Sequence, residues 1–191
     1  MSATLTPTAR PETTLNGINV TALQGVIETV RQNPEAAQTS WAVNSRWVGG
    51  TRSDHAVEGC HIGGNAVDRR FVIRTDEPVE LLGTNQFPNP QEYLMAGMNA
   101  CMVVGYAAVA ALMSVTLTKL EIRTTGDIDL RGFLGDESVP AGYELLEQTV
   151  TLAGDGTPEQ FRQIHETVKK TSPNYFNITR AIATQSRLVV E

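Results

Sequence analysis

From position 93 to position 118 the chain carries no charged residue, and the run 93–113 is apolar almost throughout. A stretch of this length either crosses a bilayer or runs through a protein interior. Asn99 within the run, its wealth of alanine and glycine, and the lack of a basic flank on its N-terminal side select the second reading, a helix buried on nearly all sides. Pro90 suits a first helical turn, so the helix is expected over 90–113. Gly97, Cys101 and Gly105 recur every four residues and stack on one face. Ala96, Ala100, Ala107, Ala108 and Ala111 widen a surface that another backbone can approach closely. One chain of 191 residues offers few elements to cover it, and homodimerisation through this helix is expected.

The remaining elements follow from local patterns. Residues 1–15 read as an arm and 16–37 as a short helical unit, with Leu23, Val26, Ile27 and Val30 at helical spacing and Asn33-Pro34 as its stop. Trp41, Val43, Ser45 and Trp47 alternate as the core-facing stripe of a strand that ends at Gly49-Gly50. Strands are expected over 55–62 and 69–75, on either side of a loop holding Gly63-Gly64-Asn65, giving an antiparallel meander. A strand over 116–132 pairs with one over 143–154. Thr157-Pro158-Glu159-Gln160 is a capping box for a helix to about Lys170, with Phe161, Ile164 and Val168 on one face. The tail 180–191 reads as a last strand. Strands and helices are grouped rather than alternating, so the class is α+β.

Composition narrows the function. Hydrophobic residues make up 41% and charged residues 19%, enough for a core; the net charge of −6 speaks against a nucleic-acid binder. The Thr/Pro-rich start lacks the apolar region of a secretory signal, and two cysteines fit a reducing compartment. A soluble, cytoplasmic protein without a membrane span is expected. Phosphate loops, dinucleotide fingerprints and zinc-protease motifs are absent, and no cofactor or metal is expected. His55, Cys60 and His61 are near in sequence, but Cys60 and His61 point to opposite faces of a strand.

Cys101 stands out, near the middle of the long helix and on its small face. It lies on the order of 16 Å from the helix start, too far for the helix dipole to favour a thiolate. A buried thiol otherwise keeps its proton, so a reactive Cys101 needs a cation brought from elsewhere. Arg46 and Arg52, flanking the first strand turn, are the candidates.

The words around Cys101 carry a resemblance. N-P-Q-E-Y-L-M-A-G-M-N-A-C-M (89–102) resembles the signature N-P-E-Q-L-F-A-A-G-Y-A-A-C-F of the OsmC/Ohr family, the osmotically inducible protein C and organic hydroperoxide resistance proteins. T-S-P-N-Y-F-N (171–177) resembles the family's second motif, x-C-P-x-S-x, and T-G-D-I-D-L (125–130) also fits. The likeness sets residues 39–191 apart as an OsmC-like domain, with 1–38 as an N-terminal extension. It implies an intertwined α+β homodimer with active sites at the subunit interface. It also implies a central-helix Cys that attacks a peroxide as thiolate and becomes a sulfenic acid. The second motif's Cys then closes a disulfide that an external dithiol reduces, while an Arg and the Glu of N-P-E hold the thiolate environment.

By motif matching, Cys101 takes the attacking position and Arg52 the arginine position, with Arg46 as runner-up. Gln91 stands where the family has Glu, and Ser172 where it has its second Cys. A hydroxyl cannot close a disulfide, so an external thiol must resolve Cys101; Cys60 is the other thiol in the chain. The expected function is a thiol-dependent organic hydroperoxide reductase, or a related thiol-redox protein, using Cys101 on a small hydrophobic hydroperoxide. The alternative is a non-peroxidase stress protein of the same fold that binds a small apolar ligand at the dimer interface.

Overall fold

Glycine turns organise the first half of the chain. The computed structural model describes residues 13–190, which fall into two compact units divided between Leu94 and Met95. In the first unit, Asn16 and Gly17 (φ 52° and 76°) turn strand β1 (Thr14–Leu15) into β2 (Ile18–Asn19). Both central positions of such a turn need positive φ, which Asn and Gly adopt at least cost. Asn19 then caps α1 (Val20–Gln32), its Oδ1 accepting from the Ala22 N–H at 2.9 Å. Most of the expected arm, residues 1–12, lies outside the described residues; 13–15 form the first arm of this hairpin.

β3 (Thr39–Gly49) and β4 (Arg52–Ile62) pair antiparallel through a tight turn at Gly50-Thr51. β5 (Asn65–Val67) folds back on the end of β4 and β6 (Val72–Thr75) on its start, so β4 is the central strand. The meander is as expected, but Gly63-Gly64 is a hairpin turn rather than an open loop. The stripe expected in the core is not buried: Trp41 is 61% and Trp47 74% exposed. Among the described residues, α1 packs against β1, β2 and the turn that follows it rather than over β3.

Asp76 follows β6 and is fully buried. Its carboxylate accepts hydrogen bonds from the hydroxyls of Thr51 (2.7 Å) and Thr84 (2.6 Å) and from the backbone N–H groups of Glu77, Thr84 and Gln86. One carboxylate thereby fastens the β3–β4 turn to the loop that leads into the long helix.

That helix, α2 (Pro90–Leu112), lies mostly in the second unit. There, β7 (Leu117–Thr125) and β8 (Glu147–Gly154) form an antiparallel pair whose connection includes the short α3 (Leu130–Phe133); α4 (Pro158–Thr171) and α5 (Pro173–Thr179) follow. Met98, Met102, Tyr106 and Ala110, one stripe of α2, are buried with Val115 and with Ile164 and Val168 of α4. Leu120, Ile122, Val150 and Leu152 of the strands pack on the same cluster. A fully buried side chain the size of Met102 or Ile164 contributes about 1.5–3 kcal/mol, so this stripe is the unit's main cohesive feature. The capping box at Thr157 has both its bonds, 2.8 and 3.2 Å.

Three expectations are corrected. The strand expected over 116–132 ends at Thr125, because its partner β8 begins at Glu147, opposite Thr125, and Asp129 then caps α3. Residues 181–190 form no strand; a strand exists only through pairing, and no described strand pairs with the tail. Finally, within this one chain α2 is not buried on nearly all sides: Val104 is 66% exposed. Among the described residues α2 is the one helix long and apolar enough to cross a membrane.

The Asp76 cradle has a pH signature. The Thr84 hydroxyl foremost, with Thr51 and the backbone donors, holds the carboxyl far below its ordinary value of 3.8, against the opposing effect of burial. The cradle therefore stabilises the fold above about pH 4 and loses that contribution as the pH falls toward the folded value. Asp76→Asn is expected to lower stability at neutral pH and to flatten its decline between about pH 4 and 2, read by urea unfolding across pH. A variant whose deficit stays constant over that range would contradict this account.

Candidate active site

Cys101 faces the corner where α4 becomes α5. Ser172 makes that corner: its N–H ends α4 on the Val168 carbonyl at 2.8 Å, and its Oγ opens α5 by accepting from the Tyr175 N–H at 3.5 Å. Pro173, which has no N–H to satisfy, suits the first position of the new helix. The Ser172 hydroxyl donates to Cys101 Sγ at 3.4 Å. Ser172 is buried, 4% exposed, and Cys101 is half-buried.

Two further contacts lock the corner against α2. Asn174 Nδ2 donates to the Gly97 carbonyl at 2.8 Å, one turn before Cys101. One turn after it, a Cβ on Gly105 would stand 3.2 Å from Val168 Cγ1, so glycine lets α4 approach. The small face of Gly97, Cys101 and Gly105 is thus covered by the same chain. The corner, which the sequence reading treated only as a motif, is the element of this chain that reaches the small face.

Beside it, Tyr106 is fully buried and shares a 2.6 Å hydrogen bond with His165 Nδ1, the rings stacked at 6.2 Å. Burial, and next the charge of Glu166, push the Tyr106 phenol up to about 12. The Tyr106 hydroxyl therefore keeps its proton at neutral pH. His165 borders a groove of about 540 Å³ between β8 and α4, together with Gln148, Val150, Leu152, Phe161 and Arg162; neither Cys101 nor Ser172 lines it. Asn99 Oδ1 accepts from Thr124 (2.7 Å) and Gln148 (3.2 Å), tying α2 to both strands.

The other expected site residues belong to the first unit. Gln91 is exposed in the first turn of α2. Glu92 forms a reciprocal cap with Asn89, 2.8 and 2.9 Å, a capping box that N-P-Q-E spells out and that the sequence reading overlooked. Arg52 opens β4 opposite Gly49, half-buried and without an ion pair among the described residues. Arg46 is exposed and pairs with Asp54 at 3.9 Å, which also faces Arg74 at 3.7 Å. Of the two arginine candidates, Arg52 is the uncommitted one. Cys60 is buried on β4 opposite Trp41 and Val67. His55 is held by Ser45, Ser53 and Thr75 at 2.8–3.1 Å, and His61 approaches Ser40 at 3.5 Å.

The sequence pattern of the OsmC-like protein family matches residues 83–187, which hold Cys101 and the Ser172 corner. The chain belongs to the OsmC-like family. Solved structures agree on the fold. One is a protein provisionally named an osmotic stress induced and detoxification response protein from Psychrobacter arcticus 273-4. It is 15% identical with a TM-score of 0.54, over 70% of this chain and 85% of that one. An OsmC-like protein from Mycoplasma pneumoniae is 16% identical with a TM-score of 0.50, over 75% and 86%. An OsmC-like hydroperoxide resistance protein from Jannaschia sp. CCS1 also aligns, 20% identical over 78% and 92% with a TM-score of 0.44. At such distances the likeness concerns the fold and not the chemistry. No curated protein sequence matches the chain.

The Tyr106–His165 pair gives the site's testable consequence. Of four tyrosines, one is expected to ionise near 12 when absorbance is followed against pH, and Tyr106→Phe to remove that step. Because the folded value is raised, the pair's contribution is complete below about pH 10 and is lost as the pH rises through the folded value. The substitution should cost about 1 kcal/mol in urea unfolding at pH 7. An unchanged titration would mean that Tyr106 is not the shielded phenol.

Proposed function

We propose that the chain is a thiol-dependent peroxidase acting through Cys101 on small hydrophobic organic hydroperoxides, with an external thiol completing the cycle. The observation that carries this reading is the Ser172 hydroxyl 3.4 Å from Cys101 Sγ, at the place where the family resemblance puts a second cysteine. The thiolate attacks the terminal peroxide oxygen: an S–O bond forms, the O–O bond breaks, and the alkoxide takes a proton and leaves as alcohol. The enzyme sulfur is oxidised to sulfenic acid and the hydroperoxide reduced. An external thiol displaces water to form a mixed disulfide. A second equivalent releases Cys101 as thiol and leaves with the first as a disulfide.

The resemblance gives Arg52, half-buried and without an ion pair among the described residues, the role of the cation that favours the thiolate. Gln91 takes the position of the family's glutamate but brings no charge. Homodimerisation supports the scheme, because Trp41, Trp47 and Val104, at 61%, 74% and 66% exposure, are apolar surface that a second copy would cover. Two free cysteines suit the reducing cytoplasm. A second reading, an apolar-ligand binder without peroxidase activity, draws on one observation: Glu92, next to Gln91, is committed to capping α2.

Cumene hydroperoxide with a small thiol is the decisive assay. Turnover is expected in the wild type and in Cys60→Ser, and none in Cys101→Ser. Ser172→Cys should consume two thiols per hydroperoxide and yield a disulfide between position 101 and the introduced thiol on peptide mapping. Wild type should stop at sulfenic acid until thiol is added. A wild type that never forms sulfenic acid, with a Ser172→Cys variant that never closes a disulfide, would favour the binder. Sedimentation equilibrium at micromolar concentration should give twice the chain mass, and a monodisperse monomer would sink the dimer.

A further inference from the structure

We propose that Ser172 is a positioning residue for the Cys101 sulfur: its buried hydroxyl donates a fixed hydrogen bond that favours the sulfur as an anion. This rests on the thiol-redox reading above and assigns Ser172 a task within it. Three observations converge. The Tyr175 N–H points at Ser172 Oγ at 3.5 Å and engages it as acceptor, which leaves the hydroxyl proton for Cys101 Sγ at 3.4 Å. Ser172 is 4% exposed, so water does not compete for that proton. The corner cannot swing away freely, because the Ser172 N–H holds the Val168 carbonyl and Asn174, two residues on, holds the Gly97 carbonyl. The donor is therefore built into the junction of two helices and aimed at one atom. A hydroxyl is also a better donor than a thiol and is inert toward sulfenic acid, so it keeps its direction while the sulfur is oxidised.

The test is the alkylation rate of Cys101 by iodoacetamide in the full chain, read on its peptide by mass spectrometry from pH 6 to 10, with circular dichroism as the folding check. Ser172→Ala is expected to react about five- to tenfold more slowly at neutral pH and to converge on the wild type at high pH, where the thiol ionises without help. Ser172→Thr, which keeps the hydroxyl and the helix cap, should follow the wild-type profile. An Ala variant as fast as wild type at neutral pH, or slower by one factor at every pH, would overturn the proposal. So would a Thr variant that coincides with Ala. Trapping of wild-type sulfenic acid with dimedone after cumene hydroperoxide judges the peroxidase reading separately. Its failure leaves the alkylation profile to decide the role of Ser172.

Discussion

The close approach of the α4–α5 corner to α2 is the constraint on which the second unit turns. α2 has no charge after Glu92 and must be covered. Gly105 admits Val168, and the Gly97 carbonyl accepts from Asn174. A side chain at Gly105 would press on Val168, four residues before Ser172. The packing of the corner and the contact of Ser172 with Cys101 therefore share the same four-residue spacing. The adjacent stripe of Met98, Met102, Tyr106 and Ala110 makes the core and holds the spacing rigid.

Polar groups in the interior are all committed, and this fixes loops that hydrophobic burial would leave free. No described buried side-chain nitrogen or oxygen is without a partner. Asp76 gathers five donors from three separate stretches, which substitutes for a second layer of packing around the β3–β4 turn. In the second unit, Asn99 and Tyr106 do the same two turns apart on one face of α2, joining it to the strands and to α4. An unpaired group in any of these places would cost about as much as one of these bonds contributes, or more.

Much of this was legible in the sequence. The long helix was placed within one residue at its end, because Pro90 and the loss of charge mark it directly. The capping box at Thr157 and the pairing of two strands behind the helix were equally plain. What was missed depends on partners distant in sequence. Trp41 and Trp47 alternate as a core stripe would, yet alternation states only that one face is apolar, not that anything covers it. Gly97, Cys101 and Gly105 announced a close contact without naming the partner, and within the chain the α4–α5 corner is what meets them. The tail at 188–190 has strand composition, but no described strand pairs with it. At the site, Cys101 and Ser172 were found by motif, but Asn174 was not, since only the structure shows its amide reaching the Gly97 carbonyl.

Ser172 shows how a structural requirement and a chemical one come to rest on one hydroxyl. Serine is among the preferred helix N-caps, so the residue suits the start of α5 whether or not the sulfur reacts. Yet an N-cap needs only an acceptor. A cap satisfied by the Tyr175 N–H would leave the hydroxyl proton free to turn toward any carbonyl nearby. Here it meets the half-buried sulfur of Cys101, on the face of α2 that Gly97 and Gly105 keep low. The cap uses the oxygen as acceptor and the sulfur uses it as donor, and each fixes the geometry the other needs. On the proposed role of Ser172, order in α5 and the state of Cys101 are linked: loosening the corner would remove the donor, and a sulfur that accepts more strongly would tighten the corner.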